Sequence, residues 1–114
     1  MPKDDFGIID CIDHNHNYID YDPEKYNCVS IECEYVENWW KQLHLLKTYF
    51  HRMSRPEFGL DRWGTTIIPP ESLPNFLMIV LKEPKIYSDD SLVALVEKIR
   101  EAIEENKYLI HYGV

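Results

Sequence analysis

Between Asp89 and Tyr112 the side-chain pattern changes period, and this change restricts the fold more than any other feature of the chain. Leu92, Leu95, Val96, Ile99 and Ile103 recur at helical spacing, with Asp89 and Asp90 placed where the positive end of a helix dipole favours carboxylates. That spacing predicts a helix near residues 89–105. The segment that follows, Lys107-Tyr-Leu-Ile-His-Tyr-Gly-Val114, is apolar, β-branched and aromatic, and it predicts a strand near 107–112 that needs a sheet to bury it. A helix feeding directly into a strand calls for an α+β architecture.

The other segments are consistent with that frame. Phe6 to Ile12 and Cys28 to Glu32 suit strands near 6–12 and 27–32, joined through Asp13 to Asn27, a run of turn formers that reads as a long loop or a loosely twisted hairpin connection. Val36, Trp39, Leu43, Leu46, Phe50 and Met53 share one helical face, which predicts a helix near 35–53 ended by Pro56 and Gly59. Thr65-Thr-Ile-Ile68 reads as a strand near 65–69. It runs through Pro69-Pro70 into a segment near 72–82 with Ser72 as N-cap and Pro74 in the first turn. Phe76 to Leu81 is apolar on every side, so helix and central strand both remain open there, helix being the expected form. The expectation is an α+β fold, a small mixed sheet of about four strands packed against about three helices in two layers. The strands near 65–69 and 107–112 should be adjacent and parallel, because the two intervening helices could supply a crossover. At 114 residues, a single domain spanning 1–114 is expected.

Twelve Lys and Arg against twenty Asp and Glu give a formal charge of -8, which repels phosphate backbones and makes direct nucleic-acid binding an unexpected role. The same field speeds encounter with a basic protein. No apolar run reaches membrane-spanning length, and the charged start lacks a signal-peptide pattern, so a cytoplasmic protein without membrane attachment is expected. Cys11, Cys28 and Cys33 show no zinc spacing and are expected to be reduced, mostly buried thiols.

Candidate chemistry is sparse. Asp13-His-Asn-His16, with Asp20, Asp22 and Glu24 downstream, offers imidazoles and carboxylates for a divalent metal, but its turn-forming residues favour a solvated loop. Cys11 and His14 form the only local thiol–base neighbourhood, without a catalytic signature around it. Four scattered glycines make no phosphate cradle, and carboxylate pairs such as Glu32 and Glu34 read as solvated faces. His111 is expected to be a hydrogen-bonded structural histidine, and Trp40 an edge residue of its helix. No enzyme activity, cofactor or metal is expected.

Leu60-Asp-Arg-Trp-Gly-Thr-Thr-Ile-Ile-Pro-Pro-Glu-Ser-Leu73, together with Leu109-Ile-His-Tyr-Gly-Val114, resembles a group of small bacterial immunity proteins of polymorphic toxin systems, such as those of contact-dependent growth inhibition. The resemblance implies a protein that binds and neutralises a cognate toxin domain. Many such toxins are basic nucleases, for which an acidic inhibitor is the complement in charge. It carries over no binding residues. Exposed acids flanked by aromatics are the partner-binding candidates, foremost Asp13, Tyr18, Asp20, Tyr21, Asp22 and Glu24, and secondarily Glu34, Glu37 and Trp40. The alternatives are a small metal-dependent enzyme using His14, His16 and nearby carboxylates, or an interaction module whose partner is not a toxin. The oligomeric state is left open.

Overall fold

The chain folds into one sheet with its helices packed on one face and a long loop laid on the other. The computed structural model describes residues 2–113. Its elements are β1 (Lys3–Ile9), β2 (Val29–Glu32), α1 (Cys33–Leu43), β3 (Lys47–Phe50), β4 (Pro56–Phe58), β5 (Thr65–Ile68), a 3-10 turn (Pro70–Ser72), α2 (Leu73–Leu81), α3 (Asp90–Glu105) and β6 (Tyr108–Tyr112). Among the described residues the strands form one six-stranded sheet in the order β2-β1-β6-β5-β3-β4, and every pairing is antiparallel. The α+β class is as expected; the sheet is neither mixed nor limited to four strands.

The orientation of β6 beside β5 explains the first difference. The two strands are neighbours, with Ile67 opposite Ile110 and Ile68 opposite Leu109, but they run antiparallel rather than parallel. A single crossover helix would deliver a parallel strand, whereas two successive helices return the chain to the end of the sheet it left. The additional strands come from the segment expected to continue a helix to residue 53. α1 instead stops at Leu43, and Lys47-Thr-Tyr-Phe50 pairs with β5 on one side and β4 on the other. Thr, Tyr and Phe suit a pleated surface, and the neighbouring strand outweighs the helical spacing of Leu46, Phe50 and Met53. The first strand also lies earlier than expected, at 3–9 rather than 6–12, because Asp4 and Asp5 find partners inside the sheet.

Residues 73–81 are helical, which resolves the open segment: Leu73, Phe76 and Val80 are buried while Met78 faces solvent. Ser72 is not an N-cap through its side chain; its Oγ donates to the Lys47 carbonyl oxygen at 2.6 Å. Asp89 caps α3 by accepting from the Ser91 N–H, as its position in the sequence suggests.

Side-chain alternation on the strands creates two apolar surfaces. Phe6, Ile8, Ile31, Ile68 and Leu109 face the helices and meet Val36, Trp39, Leu43, Phe76, Leu92, Leu95 and Ile99 in the larger core. Ile9, Ile67, Ile110 and Tyr112 face the other way and form a second cluster with Tyr18, flanked by Tyr26, Tyr49 and Tyr108. The β1–β2 connection supplies that second cover. Among the described residues no helix is long and apolar enough to cross a membrane.

Candidate partner-binding face

The connection from Asp10 to Cys28 is a strap laid across the outer face of the sheet. Tyr18 is its pin. Its side chain is only 6% exposed, its backbone N–H donates to the His51 carbonyl oxygen at 2.6 Å, and its hydroxyl accepts from the Asp13 N–H at 2.9 Å. The expectation that Tyr18 flanks the acids as an exposed contact residue is therefore corrected. The apolar outer face of β5 and β6 needs a cover, and this ring is the part of the strap that provides it.

Tyr21 is tied differently. Its ring is exposed, yet its hydroxyl donates to Asp5 Oδ2 at 2.5 Å, and Asp5 also accepts from the Ser30 hydroxyl. The hydrogen bond to Asp5, followed by desolvation, pushes the Tyr21 phenol up to about 12. Its ring meets that of Tyr112 edge-on at 5.1 Å. Further along, Cys28 N–H donates to the Pro23 carbonyl oxygen, and Asn27 takes a left-handed conformation with φ 51° to turn the chain into β2. Gly7 permits the close approach, because a Cβ there would lie 2.6 Å from the Tyr26 carbonyl oxygen and 2.7 Å from Cys28 Sγ.

With the strap held this way, Asp13, Asp20, Asp22 and Glu24 all face solvent, as does Ile19. Asp13 Oδ1 accepts from the Asn15 N–H at 2.9 Å, and Asp10 pairs with Lys107 Nζ at 3.0 Å. Among the described residues Asp20, Asp22 and Glu24 have no cationic partner. A cleft of about 280 Å³ opens beneath the strap at the end of β1, lined by Asp10, Cys11, Asp13, His16, Tyr18 and Tyr26 among others.

His14 and His16 lie in this strap rather than on a strand. His16 stacks edge-on against Tyr18 at 4.5 Å and His14 faces solvent; no group of three or more His, Cys, Asp or Glu side chains among the described residues is set to hold a metal ion. The thiols are unpaired, and Cys11 is exposed rather than buried. Burial, with Asp5 adding to it, pushes the Cys28 thiol up to about 12, and burial also raises Cys33, so neither is activated as a thiolate nucleophile.

The second set of candidates occupies α1. Glu34 is exposed in its first turn, while Glu37 accepts from Arg62 Nη2 at 2.5 Å. The Arg62 guanidinium also lies over the rings of Trp40 and Trp63, at 5.6 and 5.7 Å from their centroids. Arg62 and Trp63 lie in the 60–73 segment that carries the family resemblance but are not among the expected partner-binding residues. That segment names no contacts, and a large aromatic beside a cation among turn residues has no periodicity to place it. Behind this corner lies a buried polar chain. His111 Nε2 donates to Asp4 Oδ1 at 2.8 Å, His111 Nδ1 faces Thr66 Oγ1 at 3.4 Å, and Thr66 Oγ1 accepts from the Asp61 N–H at 2.7 Å. His111 is thus the hydrogen-bonded core histidine that its apolar surroundings suggested.

Comparison with protein-family models, curated proteins and solved structures finds no match.

Proposed function

We propose that the chain is an immunity protein that binds a basic cognate toxin domain, of nuclease type, and neutralises it by charge-complementary occlusion. The observation that carries this is the strap: it is fixed to the sheet by Tyr18 and Tyr21, yet it presents Asp20, Asp22 and Glu24 to solvent without cationic partners among the described residues. Acids held on a fixed backbone lose little conformational freedom on binding, and their field steers an oppositely charged surface into place. An overall charge of -8 reinforces the steering and works against direct contact with nucleic acid. The resemblance of residues 60–73 and 109–114 to immunity proteins supplies the class of partner. No residue of the strap has to perform chemistry for this role, and the setting is the cytoplasm, where the toxin would act.

The test is co-expression with the polypeptide encoded immediately upstream. The two should co-purify, the chain should protect cells from that product, and association should slow as salt rises. The paired charge reversal Asp20→Lys with Asp22→Lys should lower the association rate by about tenfold or more at low salt. Failure to bind or to protect rules the role out; unchanged rate and salt dependence in the double variant places the interface away from the strap.

A further inference from the structure

The strap and α1 lie on opposite faces of the sheet, but a corner of the molecule connects them. Asp5, Tyr112 and Thr65 stand side by side across β1, β6 and β5, so the Tyr21 ring on Tyr112 overlies the end of β6. The loop before β5 wraps that same end: the Gly113 N–H donates to the Gly64 carbonyl oxygen at 2.7 Å, and a Cβ on Gly113 would strike the Arg62 carbonyl. Arg62 then reaches Glu37 and Trp40 on α1. Trp63, at 75% exposure, sits in the middle of this path.

We infer that Trp63 is the anchor of the partner interface, at the centre of a band running from Tyr21 on the strap to Glu37 and Trp40 on α1, and that this band takes a basic protein surface with an apolar recess; the inference rests on the toxin-binding role proposed above. Trp63 is exposed but not loose. Its ring lies against Arg62, which Glu37 and Trp40 hold in turn, and its backbone N–H donates to Asp61 Oδ1 at 3.2 Å. The Asp61 N–H is itself bound to Thr66, next to buried His111. An aromatic side chain already positioned in this way gives up little freedom on binding, the property that sets interface anchors apart from incidental exposed side chains.

Charge decides the kind of partner. Arg62, the cation against Trp63, is paired with Glu37 at 2.5 Å, while Lys41, beside Trp40 on α1, is exposed and in no ion pair among the described residues. Asp20, Asp22 and Glu34 have no cationic partner among the described residues, so an incoming Lys or Arg surface meets uncompensated carboxylates on the strap and in the first turn of α1.

The experiment is calorimetric titration of the upstream-encoded polypeptide with wild-type protein and with Trp63→Ala, Trp63→Phe and Tyr87→Ala, each variant first checked for an unchanged circular-dichroism spectrum. Tyr87 is an 87% exposed aromatic on the α2–α3 connection, outside the band. Trp63→Ala should weaken binding by about thirtyfold or more, Trp63→Phe by less, and Tyr87→Ala by under about threefold. Binding by Trp63→Ala within about threefold of wild type overturns the anchor and leaves the toxin-binding role standing, and an equal loss from Tyr87→Ala overturns it as well. Absence of binding by wild-type protein overturns both.

Discussion

Replacing Tyr18 with alanine should detach the strap from the sheet. The ring is 6% exposed and packs with Ile9, Ile67, Ile110 and Tyr112. An aromatic side chain burying about 200 Å² at about 25 cal/mol per Å² sets an upper bound of roughly 5 kcal/mol. The strap is fixed at both ends by β1 and β2 but can settle partly into the space left, so we expect Tyr18→Ala to cost about 3 kcal/mol. Tyr18→Phe keeps the ring and removes only the acceptor for the Asp13 N–H, which should cost about 1 kcal/mol. In urea, with a slope of about 1.5 kcal/mol per M, the alanine variant's midpoint should fall by about 2 M and the phenylalanine variant's by less than about 1 M. Hydrogen exchange supplies the local readout: the Tyr18 amide, bound to the His51 carbonyl, and the Cys28 amide, bound to that of Pro23, should lose protection in Tyr18→Ala while the helices keep theirs. A cost below about 0.5 kcal/mol for Tyr18→Ala, with strap exchange unchanged, would refute the claim that this connection is part of the core. Because the acids depend on the same pin, Tyr18→Ala should also weaken partner binding without removing any charge.

Gly7→Ala places a methyl group against the Tyr26 carbonyl and Cys28 Sγ and should lower stability by about 1–3 kcal/mol in thermal or urea unfolding, with the strap amides exchanging faster. Asp89→Ala removes the cap on Ser91 and the acceptor for the Tyr35 hydroxyl at 2.6 Å, and should cost about 2 kcal/mol at neutral pH. Hydrogen bonds from Ser91 and then Tyr35 hold the Asp89 carboxyl below its ordinary 3.8, so its contribution is complete above that value and is lost as pH falls from it through the lowered one. Urea midpoints followed from pH 6 down to about 2.5 should accordingly fall less steeply at the acid end for Asp89→Ala than for wild type. His51 is held below its ordinary 6.5, by desolvation first and then by Arg55 and Arg52. The unfolded chain therefore binds the proton more readily, and stability should decline as pH drops from 6.5 toward the lowered value. The thermal midpoint of His51→Gln should lack that decline between about pH 7.5 and 5.

The period of the apolar residues sufficed for α3 and the strand after it, because a stripe at 92, 95, 96, 99 and 103 buries only as a helix and a β-branched, aromatic run buries best in a sheet. It misplaced the end of α1, since Leu46, Phe50 and Met53 continue a helical spacing by coincidence while β3 is held between β4, which follows it in a hairpin, and β5, which joins it only once the sheet assembles. The count of acids and their concentration between Asp13 and Glu24 was likewise legible. What that segment does was not, because a run of turn formers has the same local pattern whether it waves in solvent or lies against a sheet. The difference is made by Ile67, Ile110 and Tyr112, which come together only when β5 and β6 pair and which bury Tyr18 once they have done so. Sequence alone thus determined the class of fold, the sign of the charge and where along the chain the carboxylates lie. The tertiary structure decided which aromatics are pins and which are exposed, because burial is a property of the assembled sheet and not of any one segment.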